Sequence, residues 1–394
     1  MKYDVIIIGG GMIGLSCALS LAQKNFLVSV VDKRLIPNTV DNTISPSKVI
    51  AVNNKSKNLL KELGVWKAIK QSRATEFTDV KILGKDPSAK ININSSEFFL
   101  PNLGYIVEND LIVSTLKHKL LCMNVDIFEL TEINKIYENS SGLCQLQLSN
   151  GKQITSRLVV GADGPHSIVR KNFSINYRKS SYFQHSVTFS ISVENFSNNS
   201  TAYQEFFDDG ILAFLPLHKS NICFVVYSIN DDQFQFILSL SNEELCQHIK
   251  RKCSISLGKL RILGKVSSFK LIEGHAERYC CKNAVLIGDA AHTVHPLAGQ
   301  GANIGFADVI ILKEVLLQAK HYYRDLGCLS TLLKFERRRY LSNSTMILCI
   351  RYIKYIFCND SFLLKILTTQ SLRLINVSNF LKYILIKVAI KGEL

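Results

Sequence analysis

Residues 3–32 constrain the fold more than any other stretch. Within residues 3–8, the segment 5–8 after Asp4 is an unbroken run of branched apolar side chains, the pattern of a parallel strand buried on both faces. Gly9-Gly10-Gly11-Met12-Ile13-Gly14 follows directly. A helical pattern (Ile13, Cys17, Ala18, Leu21, Ala22) comes next, then a second strand-like run at 27–31 that ends in Asp32. The G-x-G-x-x-G glycines permit a tight turn, the approach of a pyrophosphate and close packing of helix on strand. Asp32 lies where an acidic side chain meets a ribose hydroxyl. Strand, loop, helix and acid together predict a βαβ unit that binds an adenine dinucleotide, without choosing between NAD and FAD. Residues 5–23 carry no charge and have the length of a signal peptide or membrane span. The clustered glycines and the flanking aspartates exclude that reading.

Two further stretches repeat the theme of a buried strand ending in Gly and Asp. Residues 158–170 read LVVGADGPHSIVR, with Asp163-Gly164 before a helix. Asp163 is either a ligand-binding residue or a simple helix cap; in the cap reading Arg170 is solvated on the far side. Residues 284–309 read AVLIGDAAHTVHPLAGQGANIGFADV. This predicts a strand, a long loop and a glycine-rich helix start at Gly299-Gln300-Gly301-Ala302-Asn303. Such a helix start turns unpaired N–H groups and a positive dipole end toward a ligand. Asp289, at the end of the strand, is placed to accept a hydrogen bond from a ribityl or ribose hydroxyl.

The net charge of +15 invites a nucleic-acid reading, but about half of the excess falls in residues 331–394, mixed with apolar side chains. That distribution fits a membrane surface or a partner protein better than nucleic acid, and no base-reading motif is present. Eleven scattered cysteines without metal-ligand spacing fit buried thiols in a reducing cytosol. His292 and His295 lack the glutamate and helical register of a zinc site, so no metal is expected. Both histidines, with Pro296, are candidates to tune proton positions near a ligand. The plainer reading has the histidines hydrogen-bonding the loop itself.

The βα rhythm lapses between about 71 and 100, and residues 174–270 have a β texture interrupted by a helical segment at 230–257. The expected fold class is α/β with an α+β insert: a Rossmann-like domain with a parallel sheet, an inserted antiparallel sheet, and C-terminal helices. The corresponding boundaries are 1–72, 101–174 and 277–345 for a discontinuous nucleotide-binding domain, 73–100 and 175–276 for a substrate domain, and 346–394 for basic amphipathic helices.

Taken in order, GGGMIG with Asp32, GADGPHSIVR and GDAAHTVHPLAGQGANIGF resemble the group A flavoprotein aromatic hydroxylases, FAD-dependent monooxygenases of the p-hydroxybenzoate hydroxylase fold. GDAAHTVHPLAGQG, LGVW at 63–66, GYIVEN at 104–109 and DGILAFLPL at 209–217 are more similar still to the bacterial hydroxylases of ubiquinone biosynthesis. The resemblance implies that Gly9, Gly11, Gly14 and Asp32 bind the ADP half of FAD. Asp163 and Gly164 would serve FAD and the nicotinamide donor, and Gly288 and Asp289 the ribityl and pyrophosphate portion. Residues 296–303 would lie beside the flavin ring, with the helix dipole on its pyrimidine edge. It further implies reduction by NAD(P)H, O2 as co-substrate, and oxygen transfer from a flavin C4a-hydroperoxide to a prenylated phenol. The cellular setting would be cytoplasmic, peripheral on the inner face of the cell membrane through 346–394, with a biosynthetic complex, a sister hydroxylase or a second copy as partner.

The chain departs from the family pattern at four places. Lys48 replaces an arginine, Asn109 stands where an Arg or Gln lies near the flavin, and the Phe-Pro-Leu…Arg strip reads Phe269-Lys270-Leu271…Gly274. Two other readings stay open: an FAD-binding scaffold subunit with little activity, and another group A flavoprotein. A halogenase is disfavoured because Trp66 is the one tryptophan.

Overall fold

The structure is a computed structural model that describes residues 1–38, 46–86, 89–194, 199–295, 299–358 and 362–386. One eight-stranded sheet runs Cys280–Cys281, Ala284–Leu286, Gln153–Gly161, Lys2–Ile8, Val28–Val31, Asp126–Phe128. Lys2–Ile8 is parallel to both of its neighbours, and its Ile6 and Ile7 have no exposed surface, as the unbroken apolar run requires. Two more strands, Ile133–Glu138 and Cys144–Leu148, extend Gln153–Gly161 as an antiparallel meander.

The register decides where the loops go. Ile8 pairs with Gly161 and with Val31, and Gly161 pairs with Leu286. Three parallel strands therefore end level with one another, so that Gly9, Asp163 and Gly288 emerge side by side at the sheet's C-terminal edge. Ligands of open α/β sheets bind at that edge.

The second sheet, also of eight strands, runs His292–Thr293, Leu260–Ala276, Tyr177–Val193, Ile222–Asn230, Gly210–Pro216, Thr201–Phe207, Asp79–Leu83, Lys90–Asn94. Its pairings are antiparallel except for Thr201–Phe207 with Asp79–Leu83. Val187, Phe189, Ile191 and Val193 point to one face and pack with Leu245 and Ile249 of the helix Asn242–Lys252, which a Ser241/Glu244 capping box starts. The interleaved Ser186, Thr188 and Ser190 point to the other face, where Ser190 pairs directly with Phe224. That face looks back toward the nucleotide-binding half. Phe224 packs with Val49 and Ile106, while Phe206 and Ile211 pack with Val294, Ile304, Met346 and Ile350. A three-stranded sheet of Val49–Val52, Gly104–Glu108 and Thr75–Phe77 lies between the two halves.

The helical segment at 230–257 is two helices, Asp231–Ser239 and Asn242–Lys252. The helix Gln300–His321 leads into a thirty-residue helix, Leu329–Cys358, and then to Phe362–Val377 and Asn379–Ile386.

Candidate functional site

Three of the first four glycines are required by the protein itself. A Cβ on Gly9, whose φ is +111°, would lie 2.2 Å from the Ala162 carbonyl oxygen, and one on Gly14 would lie 1.9 Å from that of Gly9. A Cβ on Gly10 would meet Ile36 at 2.2 Å. Gly11 differs, because a Cβ there meets nothing within 4 Å. It is also the N-cap of the helix Met12–Ala22 and offers no side chain to the free N–H groups. Open space beside uncapped N–H donors suits a pyrophosphate. Asp32 Oδ2 accepts from Gly10 N at 2.5 Å and Oδ1 from Arg34 N at 2.7 Å, which fixes the carboxylate where the second strand ends. A buried Lys117 donates to Ile36 O at 2.8 Å and to Glu129 at 2.7 Å, while Ile36 N donates to Glu129. Both backbone groups of Ile36 are thereby held, and Ile36 closes over Gly10.

In the second loop, Asp163 Oδ2 accepts from Ile168 N at 2.6 Å, so the carboxylate does cap the short helix Ile168–Asn172. Its Oδ1 is buried with no partner among the described residues, and burial pushes its pKa up. A carboxylate oxygen left in that state needs a donor from elsewhere, and a cofactor hydroxyl is one. Gly164, at φ +81°, has open space on its Cβ side. Arg170 is not solvated, contrary to the cap reading. It is buried, donates to Ala290 O and Pro165 O at 2.7 Å each, and lies 3.7 Å above the Tyr177 ring. It ties the second loop to the third.

The third loop hangs on Asp308, which is fully buried. Its Oδ2 accepts from Gly288 N at 3.0 Å and pairs with His292 Nε2 at 2.6 Å, and its Oδ1 accepts from Arg339 Nε at 2.7 Å. Burial alone would raise this carboxyl's pKa, but the charges of His292 and Arg339 hold it well below the ordinary range. Asn343 continues the network to Tyr279 Oη at 3.2 Å, and Tyr279 to His275 at 2.7 Å. Asp289, by contrast, is exposed, and its carboxylate has no hydrogen bond among the described residues. It is free to meet a hydroxyl.

His295 is buried, 3.3 Å from Gln184 Oε1 and edge-on to Tyr182. Burial, helped by Lys354, pushes its pKa down to about 3, so the imidazole is neutral at physiological pH, and its Nδ1 lacks a partner among the described residues. Pro296 lies outside the described residues. Gly299 adopts the left-handed conformation, φ +65°, with Ala51 Cβ 2.9 Å from where a Cβ would be. Gln300 opens the helix and Gly301 and Ala302 follow it; a Cβ on Gly301 would lie 3.6 Å from Val294, and Ala302 packs against the main core. Asn303 spends its side chain on the protein, donating to Ala51 O at 2.8 Å and accepting from Asn53 N and Ser56 Oγ. It pins the helix start to the strand Val49–Val52.

Lys48 is exposed and contributes its carbonyl to Asn109 N at 3.0 Å; the Asn109 side chain turns to Asp110. Lys270 is also exposed, paired across the sheet with His185. Gly274 has a physical explanation. A Cβ there would lie 2.1 Å from Tyr177 Oη, which itself bonds Thr293 at 2.8 Å. Tyr177 fills the place a longer side chain at 274 would take, and Arg170 stacks on its other side. Among the described residues, no group of three His, Cys, Asp or Glu is placed to hold a metal.

The open spaces at Gly11 and Gly164, the orphaned Asp163 oxygen and the free Asp289 carboxylate lie along one edge and suit a dinucleotide with polar hydroxyls. The FAD binding domain family matches residues 2–338. The chain belongs to that family. Within the family, it is 32% identical over 343 residues to the 3-demethoxyubiquinol 3-hydroxylase of Escherichia coli, covering 87% of each chain. It is 30% identical over 422 residues to the mitochondrial ubiquinone biosynthesis monooxygenase COQ6 of Danio rerio, covering 95% of this chain and 87% of that one. These relatives place it among the FAD-dependent ring hydroxylases of ubiquinone biosynthesis. Among solved structures, p-nitrophenol 4-monooxygenase PnpA from Pseudomonas putida shares the fold at TM-score 0.79 and 16% identity, covering 98% of this chain and 97% of that one. PqsL of Pseudomonas aeruginosa does so at 0.78 and 17%, covering 95% and 100%. The fold is the α/β and α+β combination expected from the sequence.

Asp308, Arg339, Tyr279, Asn343 and Tyr177 escaped the sequence reading. One signal was available: Asp308 is a lone acid on the apolar face that Phe306, Val309 and Leu312 define. Arg339 gave none, because it stands in a run of three arginines whose other two are exposed.

Proposed function

We propose that the chain is an FAD-dependent monooxygenase that hydroxylates the aromatic ring of a prenylated phenol in ubiquinone biosynthesis, with NAD(P)H as reductant and O2 as co-substrate. The observation that carries this reading is the seating of the third loop. His292–Thr293 is hydrogen-bonded onto the edge of the second sheet, with Thr293 opposite Gly274. Val294 then packs over Ile211 and Phe206, on the face that carries Ser186, Thr188 and Ser190. A flavin ring held at the helix start, Gly299 to Asn303, would lie between that helix and the serine-bearing face of the second sheet.

Oxygen activation belongs to bound FAD. The chain's own residues bind, orient and exclude water. The helix start at Gly299 and Gln300 favours negative charge on the nearest edge of the ring. Val294, Ile211, Phe206 and Ile304 supply an apolar wall. The Ser186 and Ser190 hydroxyls are buried and without partners among the described residues, so they are available to a ring oxygen of the substrate. His295, being neutral, serves as a hydrogen-bonding group and not as a charge.

The purified chain should take up FAD, turn yellow, be bleached by NAD(P)H without air and regain its colour in air, with faster bleaching when a prenylated phenol is present. A chain that takes up no FAD contradicts the proposal. A chain that holds FAD but does not cycle it fits the scaffold reading instead.

A further inference from the structure

The strand Tyr177–Val193 is interrupted where it enters the second sheet, and from Gln184 onward it pairs on both sides. Ser181 pairs with Ile272 and Gln184 with Leu271, so Tyr182 and Phe183 are extra residues in a bulge. Phe183 is left-handed there, φ +53°, and 71% exposed, a conformation rare for a bulky residue. Its two neighbours, Tyr182 and Gln184, both reach His295. Bulges re-aim side chains, and this one aims two at the third loop.

Each contact fixes something different about the imidazole. Gln184 fixes the proton. Its Nε2 donates to Asn230 Oδ1 at 2.9 Å, which leaves Oε1 facing His295 Nε2 at 3.3 Å. An amide oxygen only accepts, so in a neutral imidazole Nε2 carries the hydrogen and Nδ1 keeps its lone pair. Tyr182 fixes the ring and the charge around it. Its ring stands edge-on to the imidazole at 4.9 Å, and its Oη donates to Glu273 Oε2 at 2.8 Å. Lys354 Nζ lies 4.5 Å from the Tyr182 ring centre and donates to the Tyr182 carbonyl at 3.0 Å. Glu273 is itself paired with Arg351, which leaves Lys354 as the charge that acts on His295, and it opposes protonation.

His295 Nδ1 is therefore a hydrogen-bond acceptor on a side chain 1% exposed, with no partner among the described residues. Ser186, next on the same face of the strand as Gln184, is buried with an equally unpartnered hydroxyl. A buried acceptor calls for a donor. A phenol O–H supplies one, and its oxygen can accept from Ser186 in return. With the imidazole at about 3 and a phenol at roughly 10, the proton stays on the phenol.

We propose that His295 binds the substrate's phenol hydroxyl as a hydrogen-bond donor to Nδ1, and that Gln184 is the positioning residue that sets the tautomer for it. The inference deepens the hydroxylase reading and rests on it. His295 then orients the ring and does not act as a base.

The test uses the full FAD-loaded chain with 2-geranylphenol and its methyl ether, which lacks the O–H, and reads binding from the flavin spectrum. The parent should prefer the phenol by about tenfold or more, and His295→Leu should reduce that preference to about twofold or less. Leucine retains the bulk, so a merely steric preference would survive it. Gln184→Glu is nearly isosteric and sets a carboxylate against Nε2, which favours the imidazolium and turns Nδ1 into a donor. Its affinity for the phenol should fall about tenfold at pH 6 and recover as the pH rises, while the parent stays flat from pH 6 to 8. A lost packing contact would weaken binding alike across that range. A preference that survives His295→Leu overturns the inference, and so does a Gln184→Glu profile as flat as the parent's; the second decides alone if His295→Leu takes up no FAD. A parent that binds both probes alike also overturns it, and the hydroxylase reading stands without it if that chain hydroxylates the phenol. Preference for the phenol without hydroxylation strikes the hydroxylase reading and leaves the phenol site. Binding of neither probe overturns both.

Discussion

Replacing Arg339 with leucine should lower stability by about 3–5 kcal/mol, because it takes one of its two charged partners from the buried Asp308 carboxylate and leaves His292 alone to balance it. Asp308 has no exposed surface, and its Oδ1 accepts from Arg339 Nε at 2.7 Å, its charged partner on that side, and from Asn343 Nδ2 at 3.3 Å. The pH dependence carries the signature. In the parent, burial acting alone would raise the Asp308 pKa, yet His292 and Arg339 hold it below the unfolded value. A depressed folded pKa contributes stability above the unfolded pKa, and that contribution is lost as pH falls. Without Arg339 burial dominates more, the folded pKa rises, and protonation relieves the variant. Its deficit should therefore narrow as the pH falls toward the ordinary aspartate range. Urea unfolding at neutral and mildly acidic pH reads both effects, and Arg339→Lys should recover part of the loss. A deficit below about 1 kcal/mol that ignores pH would mean the pair behaves like a surface ion pair. FAD affinity should fall as well, because Gly288 N and His292 both hang on Asp308.

Gly11→Ala should leave the fold intact and weaken FAD binding by tenfold to a hundredfold, about 1–3 kcal/mol of overpacking against the pyrophosphate. The added Cβ meets no protein atom within 4 Å, and the extended backbone at φ −75° accepts any L residue. Gly14→Ala is the contrast, since its Cβ lies 1.9 Å from the Gly9 carbonyl oxygen and must damage the fold itself. Flavin fluorescence titration, with circular dichroism of the FAD-free chains, separates the two. Gly11→Ala binding FAD like the parent would remove the pyrophosphate from this position.

Much of this site was legible because parallel strands leave strong local signals. An unbroken apolar run ending in Gly marks a strand's C-terminal end at 8–9, and one ending in Gly and Asp does so at 161–163 and 286–289, without any knowledge of pairing. The alternation of apolar and Ser/Thr residues at 187–193 is likewise a local strand signal, part of the β texture of 174–270. What stayed hidden depends on side chains meeting across long separations. Arg170 looked like a solvated helix residue, since nothing near it in sequence foretells Ala290 O or the Tyr177 ring. Gly274 looked like a lost arginine until Tyr177, almost a hundred positions earlier, was seen in its place. Arg339 was indistinguishable from Arg337 and Arg338, because burial on a helix depends on which face the neighbours cover, and the apolar pattern of residues 329–358 is weak. The C-terminal basic residues divide in the same way: Arg351 and Lys354 turn inward to Glu273 and the Tyr182 carbonyl, while Lys334 and Arg337 stay outside.

Expression of the chain in bacterial strains that each lack one ring hydroxylase tests the central claim most directly. Ubiquinone should return in at least one strain, and the strain that recovers names the ring position; the Gly11→Ala chain should restore less. If the folded, flavin-loaded chain restores ubiquinone in none of them, ring hydroxylation is not what this protein does.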